Sequence, residues 1–277
     1  MSLKANVEFV RFLSEVDPYA KYKPRDPNVW EAMARVDRGS FLDDDVSMMG
    51  FIQDAQFVSS LGVLVAIDDL EGLAKAAKRI HDEMLLAVVE TRYLAYTDKS
   101  IGIRYKKEGD DSQPCSQPSL VAYMADLLEL RPGQKVLEIG TCSGYSAAIA
   151  SEIIGPTGRL VSLERIPELA AFGEANLRRH FGECYDERIK VITGDGSVGF
   201  MPEAPYDRIY LTAGVSPTFD DLKLGDQLNQ QDGVLLVPYI LSPQGNGLLV
   251  KFTSKNGSRQ KEQCAPVSFV PIIGENA

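Results

Sequence analysis

Between Lys135 and about Phe252, short apolar runs alternate with longer amphipathic stretches. The runs Val136-Leu137-Glu138-Ile139, Arg159-Leu160-Val161-Ser162-Leu163, Ile189-Lys190-Val191-Ile192, Tyr206-Asp207-Arg208-Ile209-Tyr210-Leu211, Val234-Leu235-Leu236-Val237 and Leu248-Leu249-Val250-Lys251-Phe252 read as strands. Strand and helix in alternation predict a doubly wound, mostly parallel α/β sheet. Lys255-Asn256-Gly257-Ser258 reads as a hairpin-like turn. Upstream, residues 1–42 read as helical, with Asp26 as a cap, Pro27 in the first turn and a helix from Val29 to about Val36. Residues 43–92 predict two further helices. The first, about Ser47 to Val65, is unusually apolar; the second carries Leu70, Leu73, Ala77, Ile80, Met84 and Val88 on one face. That pair suits core packing as well as a dimer interface or lid. Residues 96–118 form a polar connector, and a helix from Ser119 to Leu130 ends at Pro132-Gly133. The chain thus divides into a helical region at 1–95 and an α/β domain at 96–277.

The candidate chemistry sits at the ends of the predicted strands. Val136 to Ile139 breaks into Gly140-Thr141-Cys142-Ser143-Gly144, a loop that lets the backbone turn sharply and approach a ligand. Glu138 just before it would repel a pyrophosphate, but suits a cofactor carrying a sulfonium and an ammonium group, as S-adenosylmethionine does. The next strand ends at Glu164, placed to accept hydrogen bonds from ribose hydroxyls. The third runs into Gly194-Asp195-Gly196, where Asp195 could accept from an adenine amino group. The fourth ends at Thr212-Ala213-Gly214. Any one of these acids would ordinarily be a helix cap or a solvated loop residue. Three at neighbouring carboxyl ends point to a cofactor site.

Composition narrows the field. The 277 residues carry 39 acids against 29 bases, a net charge of −10, and no basic block, which argues against a nucleic-acid partner. Cys115, Cys142, Cys184 and Cys264 form no C-x-x-C pair, so neither a metal site nor a disulfide framework is expected, and a reducing, cytoplasmic setting is. No secretory leader and no apolar stretch of bilayer length is read. His81 and His180 sit in no motif; His180 reads as a favourable charge at a helix C-terminus. Cys115 has no base placed beside it, so no nucleophile is assigned there. Ser116, on its residue type alone, reads as an ordinary helix-start serine.

A series of blocks, in order, resembles the protein-L-isoaspartate O-methyltransferase family. They are Val36-Asp37-Arg38 with Phe41; Tyr96-x-Asp98 with Ile101-Gly102; Gln113-x-x-Ser116-Gln117-Pro118; the loop from Leu137 to Tyr145; Glu164 to Leu169; Gly194-Asp195-Gly196; Ala204 to Ile209; Gln227-Leu228, Pro238 and Phe269-Val270-Pro271. The resemblance implies a Rossmann-like methyltransferase sheet with one antiparallel strand near an edge. It implies methyl transfer from S-adenosylmethionine to the free carboxylate of L-isoaspartyl residues in damaged proteins or peptides, a repair reaction yielding S-adenosylhomocysteine. Ser116 matches the family's active-site serine. Glu138, Gly140, Thr141, Cys142, Ser143, Gly144, Glu164, Arg165, Asp195 and Gly196 fall on its cofactor positions, and Ser116, Gln117, Pro118, Thr212 and Ala213 on its substrate positions. No metal is implied.

The chain departs from the family pattern at three places. About fifty residues between Phe41 and Tyr96 are additional, and a homodimer through them is one expectation. Pro114 replaces a threonine two residues before the serine, removing an N–H and a hydroxyl. Cys142 replaces a glycine, where a side chain is expected to need a negative φ. A carboxyl methyltransferase with a different peptide or small-molecule acceptor is therefore the alternative reading. An RNA methyltransferase, an inactive binding module and a nicotinamide dehydrogenase fit the residues less well.

Overall fold

The computed structural model describes residues 2–15, 24–42, 98, 100–104 and 112–277. The predicted helices of residues 43–92, and the dimer contact assigned to them, lie outside the described residues.

Two helices, α1 (Ser2–Glu15) and α2 (Pro27–Arg35), open the chain. Asp26 caps α2 by accepting from the Asn28 N–H at 2.8 Å, with Pro27 in the first turn as expected. The buried Asn6 amide donates to the carbonyls of Met33, Ala34 and Val36, at 2.9, 3.2 and 3.1 Å. These are acceptors that a helix end leaves open. A short 3₁₀ turn, Arg38–Phe41, follows. Phe9, Val10 and Leu13 of α1 and Val29, Ala32 and Met33 of α2 join the same buried cluster as Val136, Leu160 and Leu236 of the sheet. The N-terminal helices are thus part of the main core.

The remaining elements are β1 (Ile101–Arg104), β2 (Ser112–Cys115), α3 (Pro118–Leu127), β3 (Lys135–Ile139), α4 (Tyr145–Ile154), β4 (Arg159–Glu164), α5 (Pro167–Phe181), α6 (Tyr185–Arg188), β5 (Ile189–Thr193), β6 (Arg208–Leu211), α7 (Leu222–Gly225), β7 (Asp232–Ile240), β8 (Asn246–Lys255) and β9 (Ser258–Ser268). Strands pair in the order β5-β4-β3-β6-β7-β8-β9, and the reversal of order beside β3 makes the switch point where such sheets bind ligands. Within this seven-stranded sheet all pairings are parallel except β7–β8 and β8–β9, so β8 alone runs against the rest. Asn256 and Gly257, with φ of +50° and +78°, form the two-residue turn into β9, as the Asn-Gly pair requires. Two features differ from expectation. Part of the polar connector forms the antiparallel pair β1–β2, and β9 is a long edge strand although its sequence is mostly polar.

Side chains alternate across the sheet. Leu137, Ile139, Val161, Leu163, Ile209 and Leu211 pack into one layer, while Val136, Leu160 and Tyr210 face the layer that holds α4 and the N-terminal helices. Arg208 is fully buried at the opposite end of the sheet from the glycine loop. It donates to the carbonyls of Leu128, Asp207, Asp232 and Glu129, at 2.5, 2.8, 2.6 and 3.2 Å, and so ties the end of α3 to the start of β7. Among the described residues no helix is long and apolar enough to cross a membrane.

Candidate active site

Strands β3, β4 and β6 deliver their carboxyl ends to one cavity. Its walls include Ile139, Gly140, Thr141, Cys142 and Ser143 after β3, Leu163, Glu164, Arg165 and Ile166 after β4, Gly196 after β5, and Thr212 and Ala213 after β6. Gln113, Pro114, Cys115 and Ser116 close it on one side, and Val270, Pro271, Ile272 and Ile273 on another. Gly140 has φ +105°, and a Cβ there would run into the Thr212 hydroxyl, which itself donates to the Gly140 carbonyl at 2.7 Å. Glycine is therefore required for the loop to turn while β6 holds it.

Glu164 accepts the N–H of Cys142 on one carboxylate oxygen and that of Ile166 on the other, both at 3.0 Å. The acid thus ties the glycine loop to the start of α5 while facing the cavity, where its remaining lone pairs are open to hydroxyl donors. Cys142 has φ +47°, contrary to the negative value expected for a residue with a side chain. Its N–H bond to Glu164 and the closure of the loop (Gly144 N–H to Thr141 carbonyl, 2.8 Å) hold it there. Burial, with Cys115 and Glu164 nearby, pushes its thiol up.

Ser116 lies between β2 and α3 and lines the same cavity, next to Cys115, whose thiol meets the Ser143 hydroxyl of the loop at 3.4 Å. The N-cap of α3 is Gln117, so Ser116 is not held by helix capping. Asp98 does that work from outside: it accepts the Ser119 N–H at 2.8 Å and the Gln117 side-chain amide at 2.7 Å.

Of the residues singled out in the sequence, Ser116, Gly140, Thr141, Cys142, Ser143, Glu164, Arg165, Gly196, Thr212 and Ala213 meet at this cavity. Five do not line it. Gly144, φ +83°, caps α4 and packs on Leu177 of α5. Gln117 turns to Asp98, and Pro118 is buried in the first turn of α3. Glu138 is fully buried beneath the loop, not exposed to it. It pairs in register with Ser162 on β4 and Tyr210 on β6, whose hydroxyls donate to its carboxylate at 2.5 and 2.7 Å. Ser162 also meets Thr141 at 2.6 Å, and Tyr210 meets Ser146 at 3.2 Å. Burial raises the Glu138 carboxyl to about 7, against the pull of these hydroxyls and with Glu164 adding to the rise. Asp195 accepts the N–H of Ser197 at 2.8 Å and of Glu275 at 2.7 Å. Burial opposes its charge, but these donors hold its carboxyl below the usual range. The tail that supplies Glu275 also lays Asn276 on Ser197, at 3.0 Å.

The wall at Gln113 to Ser116 is expected only from the resemblance, and the wall from Val270 to Ile273 is not expected, since nothing local in either stretch points to the glycine loop. The partners of Glu138 carried a usable signal. Ser162 and Tyr210 each stand two residues before the end-of-strand positions Glu164 and Thr212, as Glu138 does before Gly140.

A sheet of this order, with a glycine loop after its first core strand and a carboxylate closing the second, defines a Rossmann-like methyltransferase. A family model described as protein-L-isoaspartate(D-aspartate) O-methyltransferase matches residues 71–277, starting ahead of Tyr96. The chain belongs to this family and is a methyltransferase. It is 40% identical over 186 residues to the protein-L-isoaspartate O-methyltransferase of Methanopyrus kandleri, covering 67% of this chain and 76% of that one. It is 36% identical over 216 residues to that of Hyperthermus butylicus, covering 74% and 82%. In fold it resembles a solved protein-L-isoaspartate O-methyltransferase with a TM-score of 0.67 at 21% identity, covering 100% of this chain and 67% of that one. It also resembles a Plasmodium falciparum protein of the same description, solved in complex with S-adenosyl-L-homocysteine, with a TM-score of 0.60 at 18% identity and 99% of each chain covered.

Proposed function

We propose that this enzyme methylates the free carboxylate of L-isoaspartyl residues in damaged proteins or peptides, using S-adenosylmethionine, as a repair reaction. The observation that carries the reading is one cavity lined by Ser116, by the Gly140–Ser143 loop and by Glu164 together. Its lining suits a nucleoside without phosphates: one carboxylate, one guanidinium (Arg165), hydroxyls, and the apolar Ile139, Leu163, Ile166 and Leu169. Bound S-adenosylmethionine supplies an electrophilic methyl group on a sulfonium. In this reading Glu164 accepts from the ribose hydroxyls and Gly196 borders the adenine, while Asp195 holds the turn behind it through Ser197 and Glu275. Thr141, Cys142 and Ser143 present backbone to the amino-acid end, with Arg165 beside Glu164. Glu138 and Gly144 hold the loop from behind, and Gln117 and Pro118 hold Ser116 in the same way.

The acceptor needs no base. An α-carboxylate with a pKa near ~3.5 is ionised at neutral pH. His180 is turned to Glu152, 3.2 Å away, and does not line the cavity. The residues' task is to orient an anion and exclude water. The Ser116 hydroxyl donates to the carboxylate, Thr212 and Ala213 bound its other side, and placement of this kind supplies on the order of 7–11 kcal/mol of the barrier. Pro114 in the wall favours one second reading, a carboxyl methyltransferase with a different acceptor. Methyl transfer to an isoaspartyl peptide and to its aspartyl twin separates the two. A preference for the isoaspartyl form supports repair, and equal or absent turnover on both refutes it. The same reading takes in a cytoplasmic setting, which the four free cysteines suit, and a homodimer through residues 43–92, checked by sedimentation.

A further inference from the structure

Two arginines head the fully buried side chains. Arg208 clamps backbone far from the cavity, as described above. Arg38 is different. It stands on the Arg38–Phe41 turn, does not line the cavity, and reaches its two sides from behind. Its Nη2 donates to the carbonyl of Ser116 at 3.2 Å. Its guanidinium carbon lies 5.7 Å from the ring centroid of Tyr145, the residue that starts α4 after the glycine loop. A guanidinium is buried at such a place only when its contacts repay the loss of water.

The turn itself is anchored. Asp37 accepts from the Gly39 N–H at 3.2 Å and the Ser40 hydroxyl at 3.3 Å. Arg179 of α5 donates to the Ser40 carbonyl at 2.9 Å. Asn176 of α5 donates to the carbonyls of Ser143 in the glycine loop, at 3.0 Å, and of Phe41, at 3.5 Å. The Phe41 ring meets Tyr145 edge-on at 6.0 Å. A rigid turn thus backs both the acceptor side and the cofactor side.

We propose that Arg38 is a positioning residue for methyl transfer: it fixes the main chain at Ser116 relative to the glycine loop, so that the serine hydroxyl holds the acceptor at one angle to the methyl donor. The proposal rests on the repair reading, in which the acceptor carboxylate meets Ser116. Arg38→Lys keeps the charge and loses the planar fork that can hold a carbonyl and lie near a ring together. Arg38→Gln keeps a planar donor without the charge and serves as a second probe.

The test is a double-mutant cycle on isoaspartyl-peptide turnover, with S-adenosylhomocysteine affinity measured by calorimetry on every variant. Arg38→Lys is expected to lower kcat roughly tenfold or more, as small misplacements do, with cofactor affinity within about twofold of wild type. In a Ser116→Ala background the same change is expected to add little, because both act through one group. Multiplicative losses, or a loss of cofactor affinity as large as the loss of turnover, overturn the role of Arg38. Should Arg38→Lys not fold, Arg38→Gln is put through the same cycle and judged by the same results. Wild-type enzyme that shows no isoaspartyl preference overturns the repair reading first, and the role of Arg38 with it.

Discussion

Glutamine in place of Glu138 keeps the shape of the side chain and removes its charge. The carboxyl is fully buried, and its value rises from 4.5 to about 7. The folded state therefore binds a proton that the unfolded state has released across that window. A group raised in this way contributes stability that is complete below the unfolded value and is lost as pH climbs through the folded one. With about 1.4 kcal/mol per unit, the wild-type loss between pH 4.5 and 7 from this group, raised to about 7, is on the order of 3 kcal/mol. Glutamine has no such window. Ser162 can accept from its amide and still donate to Thr141, while Tyr210 continues to donate to its oxygen. Glu138→Gln is thus expected to lie within ~1 kcal/mol of wild type near pH 5 and to exceed it by roughly 2 kcal/mol at pH 8, after allowing for weaker neutral hydrogen bonds. Urea unfolding at both pH values, followed by the fluorescence of Trp30, the chain's one tryptophan, packed against the core, measures this directly. An offset between the two proteins that stays the same at pH 5 and pH 8 would refute the reasoning.

Three further outcomes are expected. Asp195→Ala weakens S-adenosylhomocysteine binding by roughly 1–3 kcal/mol in calorimetry; unchanged affinity contradicts its role in holding the turn at Gly196. Cys142→Gly relieves a left-handed residue, φ +47°, and raises stability by up to ~1 kcal/mol once the added chain entropy is counted; a fall in Tm contradicts this. Gly140→Ala must open φ +105° and displace the Thr212 hydroxyl, costing about 1–3 kcal/mol; a variant with wild-type Tm shows that the loop has another conformation at hand.

The alternating strands from Lys135 onward were legible because burial on both faces leaves near-continuous apolar runs. Asp26-Pro27 announced a helix start by capping chemistry that is purely local. Glu164 could be placed at the cavity from position alone, but the turn of Asp195 to Ser197 and Glu275 and the direction of Glu138 could not. A residue one step from a strand end faces either layer of the sheet, and only register against Ser162 and Tyr210 decides which. Edge strand β9 was missed for a related reason. Exposed at the border of the sheet, Gln260, Lys261, Glu262 and Gln263 carry no apolar signal. The hairpin β1–β2 and the wall from Val270 to Ile273 are long-range products of packing, and short-range pattern does not encode them.

The charged border at β9 bears on the company this enzyme keeps. A methyltransferase acting on damaged polypeptides meets loosened chains whose unpaired backbone seeks a sheet to join. Eleven residues of edge, unpaired on the outer side among the described residues, would be an invitation, but Lys261 and Glu262 make that margin hydrated and hard to desolvate. Such a margin gives a frayed chain little to gain by adding a strand to it.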